Sequence, residues 1–243
     1  MHLAATKSTL ADIVTDVDRE VEALIRDRLR GARGDDGFLG EETGAEVGTS
    51  GITWVVDPID GTRPLAHGLP NSIATVAFAP RGSMFNPGPF FYMNKIAVGP
   101  VAKDVIDIDA SVAHNLRKIA KAKGENVEDL TVVVLDRPRH EKLIFEIRKA
   151  GARIKLIPDG DIAGAIMTAM PETNIDVMMG IGGTPEGVIA TAAMRCLGGN
   201  IIGKLHPSRQ EEIDEAKRIG LDISKPLLMN DLISSEDVFF AAT

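Results

Sequence analysis

The chain has 243 residues, of which 44% are hydrophobic, so it can bury the core of one large domain or two modest ones. Its formal net charge of −8 argues against nucleic acid or an anionic membrane surface as the main partner. The single cysteine, Cys196, rules out a disulfide framework and a cysteine zinc cluster. No apolar run approaches the roughly 20 residues of a membrane span, and no signal peptide is evident. We therefore expect a soluble, cytoplasmic protein.

An amphipathic pattern near the N-terminus predicts the first helix. Its apolar residues fall at helical spacing on one face, at Val17, Val21, Leu24 and Ile25. Asp18 lies in the first turn, where a negative charge is favourable beside the helix dipole without any further role. Glu41 and Glu42 follow a short apolar stretch, and the residues alone predict that they belong to a solvated loop.

Two carboxylates, Asp57 and Asp60, directly follow the apolar run 52–56, which predicts a buried strand. The proline between them is expected to end this strand, because proline cannot continue a strand ladder. Both acids can converge on one hard cation such as Mg²⁺. Gly61 permits close approach of the backbone to a ligand, and Thr62 can orient a water molecule. A plain polar turn is the alternative, because Asp-Pro and Asp-Gly are ordinary turn dipeptides.

Strands are expected at 73–79 and 95–98, and helices then alternate with strands. The expected order is helix 111–123, strand 131–135, helix 141–150, strand 153–157, helix 162–170, strand 175–179, helix 185–197, strand 200–205, helix 208–219 and a last strand at 237–243. This alternation predicts a layered α/β unit with at least partly parallel strands. Ligand sites in such sheets lie beyond the carboxyl ends of strands.

Polar residues cluster at two of these strand ends. Arg137 and Arg139 follow one strand, and they can fork onto a phosphate or form a solvated basic turn. His140 can cap the next helix or contact a ligand. The segment Asp159-Gly160-Asp161 follows another strand, and its acids can accept hydrogen bonds from sugar hydroxyls, while Asp161 can equally be a helix N-cap.

A glycine-rich stretch precedes the helix predicted at 185–197. Thr184 is expected to cap this helix, and Pro185 suits its first position. Glycines before a helix N-terminus allow an anion to approach, but the glycine spacing differs from a dinucleotide fingerprint. Glu186 can serve a ligand or merely offset the helix dipole.

The string DPIDGT after an apolar strand resembles the metal-binding signature of the lithium-sensitive, Mg²⁺-dependent sugar phosphatases. The segments KSTLADIVTDVDREVEALI, DDGFLGEETG and WVVDPIDGT, up to about residue 62, resemble inositol monophosphatase. From there on, LDRPRHEKLI, GARIKLIPDGDIAGAI and GIGGTPEGVIATAAMRCLGG resemble class II, bacterial-type fructose-1,6-bisphosphatase. We therefore hypothesise a chimaera of the two families, natural or engineered, that is joined near this loop.

The resemblance implies a layered α-β-α-β-α fold with mixed sheets. It divides the chain into an N-terminal metal-binding α+β part, 1–100, and a C-terminal α/β part, 101–243. Both ends look shortened relative to the two families, and a homo-oligomer, dimer or tetramer, is expected.

The resemblance also implies roles for individual residues. The expected metal ligands are the side chains of Glu41, Asp57, Asp60 and Glu186 and the carbonyl of Ile59. The expected catalytic residues are Thr62, Glu41 and Asp18, and Lys7 matches a lysine near the same site. The expected substrate contacts are Asp60, Gly61, Thr62, Tyr92, Arg137, Arg139, Asp159, Gly160, Asp161 and Gly183.

The implied activity is Mg²⁺- or Mn²⁺-dependent hydrolysis of the 1-phosphate of fructose 1,6-bisphosphate, a reaction of gluconeogenesis. Sedoheptulose 1,7-bisphosphate is a second candidate substrate. In every case the expected partner is a small sugar phosphate. Two alternatives remain, namely inositol monophosphatase activity and a folded but inactive chimaera.

Overall fold

The structure, a computed structural model, describes residues 3–6, 13–86, 88 and 90–243, with side chains described from residue 16 onward. Lys7, which the resemblance puts near the metal site, lies outside the described residues. The strands are β1 (Leu3–Thr6), β2 (Ile13–Thr15), β3 (Gly37–Gly40), β4 (Gly44–Glu46), β5 (Ile52–Asp60), β6 (Ile73–Pro80), β7 (Tyr92–Val98), β8 (Thr131–Leu135), β9 (Arg153–Ile157), β10 (Val177–Gly183), β11 (Asn200–Leu205) and β12 (Phe239–Ala242).

The α-helices occupy positions between these strands. They are α1 (Asp16–Arg33), α2 (Thr62–Ala66), α3 (Val112–Lys123), α4 (Glu141–Ala150), α5 (Asp161–Met167), α6 (Thr184–Leu197), α7 (Gln210–Ile219) and α8 (Met229–Leu232). Among the described residues, no helix has the length and apolar character needed to cross a membrane.

The strands form two five-stranded mixed sheets and one separate antiparallel pair, β1 with β2. The first sheet has the order β12-β6-β5-β3-β4, in which only β3 and β5 are parallel neighbours. The second sheet has the order β11-β7-β10-β8-β9, in which β8 runs parallel to both β9 and β10. The prediction of mixed, partly parallel sheets is therefore confirmed.

Helices cover both sheets and fill the space between them. Helix α6 contacts β5, β6 and β12 of the first sheet and β7, β10 and β11 of the second. Its buried Ile189 packs with Val55 of the first sheet, and its Met194 packs with Met93 of the second. Helices α3 and α4 pack on the second sheet through Leu116 and Ile147, and α1 contacts β5. The predicted α-β-α-β-α layering is confirmed.

Helix ends agree best with prediction where glycine provides the cap. Helix α3 follows Ser111, whose hydroxyl accepts a hydrogen bond from the His114 N–H, and it ends at Gly124 with φ of 72°. Helix α4 ends at Gly151 with φ of 99°. Both glycines adopt the left-handed conformation that residues with a Cβ disfavour.

Strand β5 is longer than predicted. It continues through Pro58 to Asp60, and its register against β6 shifts between Asp57 and Asp60. Proline is tolerated there because such an irregularity leaves an unpaired position in the ladder. The predicted end of the strand before Pro58 is therefore wrong, and both carboxylates lie on a strand in the interior of a sheet.

Helix α1 forms where predicted but buries an unexpected face. Asp18 and Glu22 are its buried residues, whereas Val17 and Leu24 from the apolar stripe are 39% and 56% exposed. The helix therefore turns two acids toward the protein interior. Periodicity located the helix correctly and did not identify the face that packs.

Two further details near the glycine-rich stretch differ from expectation. Strand β10 extends to Gly183 and so includes Gly180 to Gly183, beyond the predicted end at residue 179. Gly183 occupies the N-cap position of α6, and Thr184 is the first helical residue. The predicted cap at Thr184 is therefore wrong.

The division of the chain at residue 100 stays a prediction. Strand β7, which precedes this position, belongs to the second sheet, and the C-terminal strand β12 belongs to the first. Each sheet therefore combines strands from both parts of the sequence.

Candidate active site

A pocket lies where several strands end and several helices begin. Residues from the carboxyl ends of β5, β8, β9 and β10 meet residues from the first turns of α2, α5 and α6. It encloses about 590 Å³ of empty space, counting the part open to solvent.

Nearly all residues predicted for the site line this pocket. They are Glu41, Asp57, Ile59, Asp60, Gly61, Thr62, Tyr92, Arg137, Arg139, Asp159, Gly160, Asp161, Gly183 and Glu186. Phe91, Leu135 and Gly182 also line it and were not predicted. Segments that are up to 145 positions apart in the sequence are thus brought together, from Glu41 to Glu186.

Asp18 is the expected catalytic residue that does not line the pocket. It is 1% exposed on α1, and its carboxylate lies within 4.8 Å of carboxylate oxygens from Glu41 and Glu42. These three acids could hold a metal ion. Since the Glu42 carboxylate is 3% exposed and lies 3.6 Å from Arg19 Nε, Glu42 is not the solvated loop residue that the sequence suggested.

The acids on β5 are strongly perturbed by their surroundings. Burial raises the pKa of the Asp57 carboxyl well above its usual range, and the negative charges of Asp60, Glu41, Glu186 and Asp18 raise it further. The Asp57 carboxylate accepts one hydrogen bond, of 3.0 Å, from the N–H of Ile59. Like charges in a buried site repel each other strongly, so these carboxylates are close enough to require a shared cation or proton.

Asp60 is perturbed by the same two effects, burial and neighbouring negative charge. Burial raises its pKa well above the usual range, and the charges of Asp161, Glu186 and Asp159 add to the effect. The N–H of Ala163 donates a 3.0 Å hydrogen bond to Asp60 Oδ2 and opposes this rise. Since α5 supplies Ala163, this bond joins the first sheet to a helix of the central layer.

Glu41, Asp57, Asp60 and Glu186 form an acidic wall of the pocket. This acidic wall suits a hard divalent cation. The acids and the Ile59 carbonyl along the pocket provide only oxygen donors, which Mg²⁺, Ca²⁺ and Mn²⁺ prefer. The backbone also makes room for the ligand side chains, since a Cβ at Gly183 would overlap the Glu186 carboxylate. The chemistry of these donors therefore fits a metal ion, and the acids whose ligand atoms lie within 4.8 Å of one another are Asp18, Glu41 and Glu42.

Two arginines also line the pocket, and protein groups hold both in place. Arg137 is 4% exposed and donates to Asp159 Oδ1 at 3.0 Å and to the Pro158 carbonyl at 2.5 Å. Arg139 donates to the Ile181 carbonyl from Nε at 3.1 Å and from Nη2 at 3.0 Å. Its guanidinium lies 4.9 Å from the centre of the Tyr92 ring. The arginines thus add positive charge to the pocket in fixed positions.

Asp159 provides the negative charge that pairs with Arg137. Burial raises the pKa of its carboxyl, while the charges of Arg137 and Arg63 and a hydrogen bond from the Arg63 N–H lower it. Asp161 is the first residue of α5, and Gly160 occupies the cap position. The alternative interpretation of Asp161 as an N-cap is therefore wrong.

His140 neither caps a helix through its side chain nor lines the pocket. Its Nδ1 donates to the Leu135 carbonyl at 2.7 Å, and its Nε2 accepts a 2.7 Å hydrogen bond from the N–H of Ile181. Both bonds require neutral imidazole. They join the end of β8 to β10, and Ile181 in turn holds Arg139. His140 therefore helps to hold the backbone at Ile181 that positions Arg139.

Glu22 supports the turn that carries Glu41 in a comparable way, and no sequence pattern pointed to it. It is fully buried, and its carboxylate accepts hydrogen bonds from the N–H of Glu42 at 2.9 Å, from the N–H of Thr43 at 2.8 Å and from the Thr43 hydroxyl. A Cβ at Gly40 would overlap this carboxylate. Glu22 thus fixes the turn that carries Glu41.

We expect Glu22→Gln to loosen this turn, because an amide offers one acceptor oxygen where three donors converge. The affinity for Mn²⁺ should fall about tenfold, within the range typical for residues that support a metal ligand. Isothermal titration calorimetry measures this, with the exposed Glu20→Gln on the same helix as the control. Unchanged Mn²⁺ affinity in Glu22→Gln would contradict the assignment.

The second prediction concerns His140 and pH. Burial lowers its pKa below the usual 6.5, and the charges of Arg139 and Arg137 act in the same direction, opposed by the Leu135 carbonyl and Asp161. A histidine with a depressed pKa stabilises the fold above the unfolded-state value and loses that contribution as pH falls. His206 has a pKa lowered by burial as well.

We therefore expect His140→Gln to lose less free energy of unfolding than the unsubstituted protein as pH falls from 7 to 5. The difference between the two proteins isolates His140, because the buried acids with raised pKa values act in the opposite direction in both. Urea unfolding at several pH values measures the slope, and the exposed His67→Gln is the control. Equal slopes for His140→Gln and the unsubstituted protein would show that His140 does not contribute.

The chain is similar to a known protein family and to individual proteins. The family described as bacterial fructose-1,6-bisphosphatase, glpX-encoded, matches residues 35–243, so the match begins upstream of the DPIDGT string. Fructose-1,6-bisphosphatase 1 class 2 of Escherichia coli (strain K12) is 39% identical over 219 residues, which cover 85% of this chain and 65% of that protein. Fructose-1,6-bisphosphatase class 2 of Shigella flexneri matches with the same values. The chain thus spans about 65% of the length of these relatives.

Solved structures of inositol monophosphatase type are more distantly similar. The extragenic suppressor protein suhB of Bartonella henselae is 21% identical with a TM-score of 0.42, covering 68% of this chain and 64% of that chain. An IMPase of Thermotoga maritima is 21% identical with a TM-score of 0.42, covering 69% of this chain and 63% of that chain. The family match spans most of the sequence and all the pocket residues, and the chain therefore belongs to the family of bacterial, glpX-encoded fructose-1,6-bisphosphatases.

Proposed function

We propose that this chain is a metal-dependent phosphatase that hydrolyses the 1-phosphate of fructose 1,6-bisphosphate. The observation that supports this most is that one pocket is lined both by an acidic wall (Glu41, Asp57, Asp60 and Glu186) and by a basic wall (Arg137 and Arg139). The acidic wall suits a metal ion that engages the reacting phosphate, and the basic wall suits a second phosphate. The names of the class 2 relatives point to the same substrate.

The proposed metal ion is Mg²⁺ or Mn²⁺. Its ligands are the side chains of Glu41, Asp57, Asp60 and Glu186 together with the Ile59 carbonyl, all of which line the pocket. Crowding of Asp57 and Asp60 among like charges makes this wall favourable for a cation. When bound, such an ion lowers the pKa of a water molecule and stabilises negative charge on a phosphoryl group.

The chain itself provides the remaining groups for hydrolysis. The Thr62 hydroxyl, at the start of α2, orients the attacking water molecule. Glu41 accepts a proton from this water, and buried Asp18 lies beside Glu41. The oxygen of this water bonds to phosphorus as the bond between phosphorus and the sugar oxygen breaks, and the sugar alkoxide takes up a proton from solvent.

The basic wall and the sugar contacts determine which substrate fits. Arg137, Arg139 and Tyr92 bind the phosphate that is not cleaved, and the guanidinium groups provide its charge balance. Asp159 and Asp161 accept hydrogen bonds from sugar hydroxyls. Three glycines along the pocket, Gly61, Gly160 and Gly183, let the sugar approach the backbone.

Inositol monophosphatase activity is the second candidate, because the N-terminal segment up to about residue 62 resembles that family. Sedoheptulose 1,7-bisphosphate is a further bisphosphate candidate. Turnover of the three substrates side by side separates these possibilities, and we expect fructose 1,6-bisphosphate to have the highest kcat/KM. A folded chimaera without activity would release no phosphate from any of them. The homo-oligomeric state and the cytoplasmic location stay predictions.

The decisive experiment measures phosphate release from fructose 1,6-bisphosphate with Mg²⁺ or Mn²⁺, and again with a chelator. Asp57→Asn should lower release at least about 100-fold, because even side chains that only support a metal ligand typically contribute about 10–100-fold. Mn²⁺ should raise the Tm of the unsubstituted protein and leave the Tm of Asp57→Asn nearly unchanged.

The exposed Asp104→Asn, outside the pocket, is the matched control and should behave like the unsubstituted protein. Unchanged phosphate release in Asp57→Asn, or release that persists in chelator, would overturn the proposed metal-dependent mechanism.

A further inference from the structure

A lysine that no sequence motif indicated is buried directly behind the pocket wall. Lys95 lies on β7 and is 2% exposed. Its Nζ lies 2.5 Å from Asp161 Oδ2 and donates a 2.9 Å hydrogen bond to the Gly183 carbonyl. Both partners line the pocket. The lysine therefore contacts two pocket residues from the protein side.

The backbone around Lys95 leaves space for little else. A Cβ at Gly182 would lie 2.9 Å from Lys95 Nζ and overlap the Asp161 carboxylate. A Cβ at Gly187 would lie 3.2 Å from Lys95 Cδ. Strand β10 and helix α6 thus provide glycine at both positions where the lysine and its partner pass. This close fit keeps the Lys95 ammonium group against Asp161.

The charge of Lys95 lies beside an acid of the pocket. Asp161 pairs with Lys95, and its negative charge acts on the nearby Asp60. The two pocket arginines have other partners, since Arg137 pairs with Asp159 and Arg139 binds the Ile181 carbonyl. Lys95 therefore compensates the charge of Asp161 from the protein side.

A buried ion pair is weak evidence for stability, because desolvation of both charges offsets their attraction. Such a pair is better explained by a need for one charge in a defined place. A carboxylate at Asp161 that accepts hydrogen bonds from a sugar needs a fixed orientation. The contact with Lys95 Nζ provides it.

We propose that Lys95 is a positioning residue of this site that acts through Asp161. It holds the Asp161 carboxylate in a fixed orientation, so that Asp161 accepts a hydrogen bond from a hydroxyl group of the substrate. This inference rests on the proposed function, and it adds a buried residue that supports recognition of the substrate. Because Asp161 contacts the sugar and not the reacting phosphorus, Lys95 should affect KM more than kcat.

A double-mutant cycle tests this assignment. Lys95→Met removes the charge and keeps an unbranched apolar chain, and Asp161→Asn removes the partner charge. We expect Lys95→Met to raise KM for fructose 1,6-bisphosphate about tenfold or more, with a smaller change in kcat. In the Asp161→Asn background, the same substitution should change KM less than about threefold, since residues that act as one unit are not additive.

The matched control is Lys123→Met, which removes a lysine paired with Asp176 outside the pocket. It should leave KM unchanged. A readout that needs no turnover is calorimetric binding of fructose 6-phosphate, which Lys95→Met should weaken about tenfold. If Lys95→Met does not fold, the comparison of Asp161→Asn with the double variant remains, and equal KM values are expected there.

The outcomes separate this inference from the proposed function. Additive effects on KM, or a double variant that binds fructose 6-phosphate much more weakly than Asp161→Asn, overturn the inference and leave the activity intact. An unsubstituted protein that neither releases phosphate nor binds fructose 6-phosphate overturns the proposed function and the inference together.

Discussion

Electrostatic repulsion among buried carboxylates is the constraint on which the rest of this structure depends. Asp57 and Asp60 lie on one buried strand, and Glu41, Glu186, Asp18 and Asp161 come close enough to raise their pKa values. Charges of one sign that are crowded in a poorly solvated pocket oppose folding unless other interactions hold them. The surrounding elements hold these acids in place, and a bound cation would offset their mutual repulsion.

Three buried polar residues outside the pocket illustrate this arrangement. Glu22 fixes the turn that carries Glu41, and His140 joins strands β8 and β10 next to the arginines. Lys95 pairs with Asp161. Each makes hydrogen bonds to backbone groups or to a charged partner, which is the condition for burying a polar side chain without a large penalty. The pocket is thus supported by residues that do not face the ligand.

The same arrangement explains why two sheets are needed. The first sheet contributes the acids of β5, and the second contributes the glycine strand β10 and the strand ends that carry the arginines. The central helices α5 and α6 connect them, with Ala163 donating to Asp60 and Glu186 in the first turn of α6. One small movement of the sheets relative to each other would therefore change the spacing of the acids, and a displacement of about 1 Å can cost on the order of 100-fold in rate.

The sequence by itself determined the mixed α/β class, many element bounds and nearly all pocket residues, because these follow from local patterns and from a specific family string. Periodicity and glycine caps placed β8, α4 and β9 at the predicted residues. Only the tertiary structure decided which face of α1 is buried, how β5 passes through Pro58, and which partners Glu22, His140 and Lys95 have. Burial of an acid in place of a valine is favourable only if donors from distant segments meet it, and local sequence patterns contain no information about such contacts.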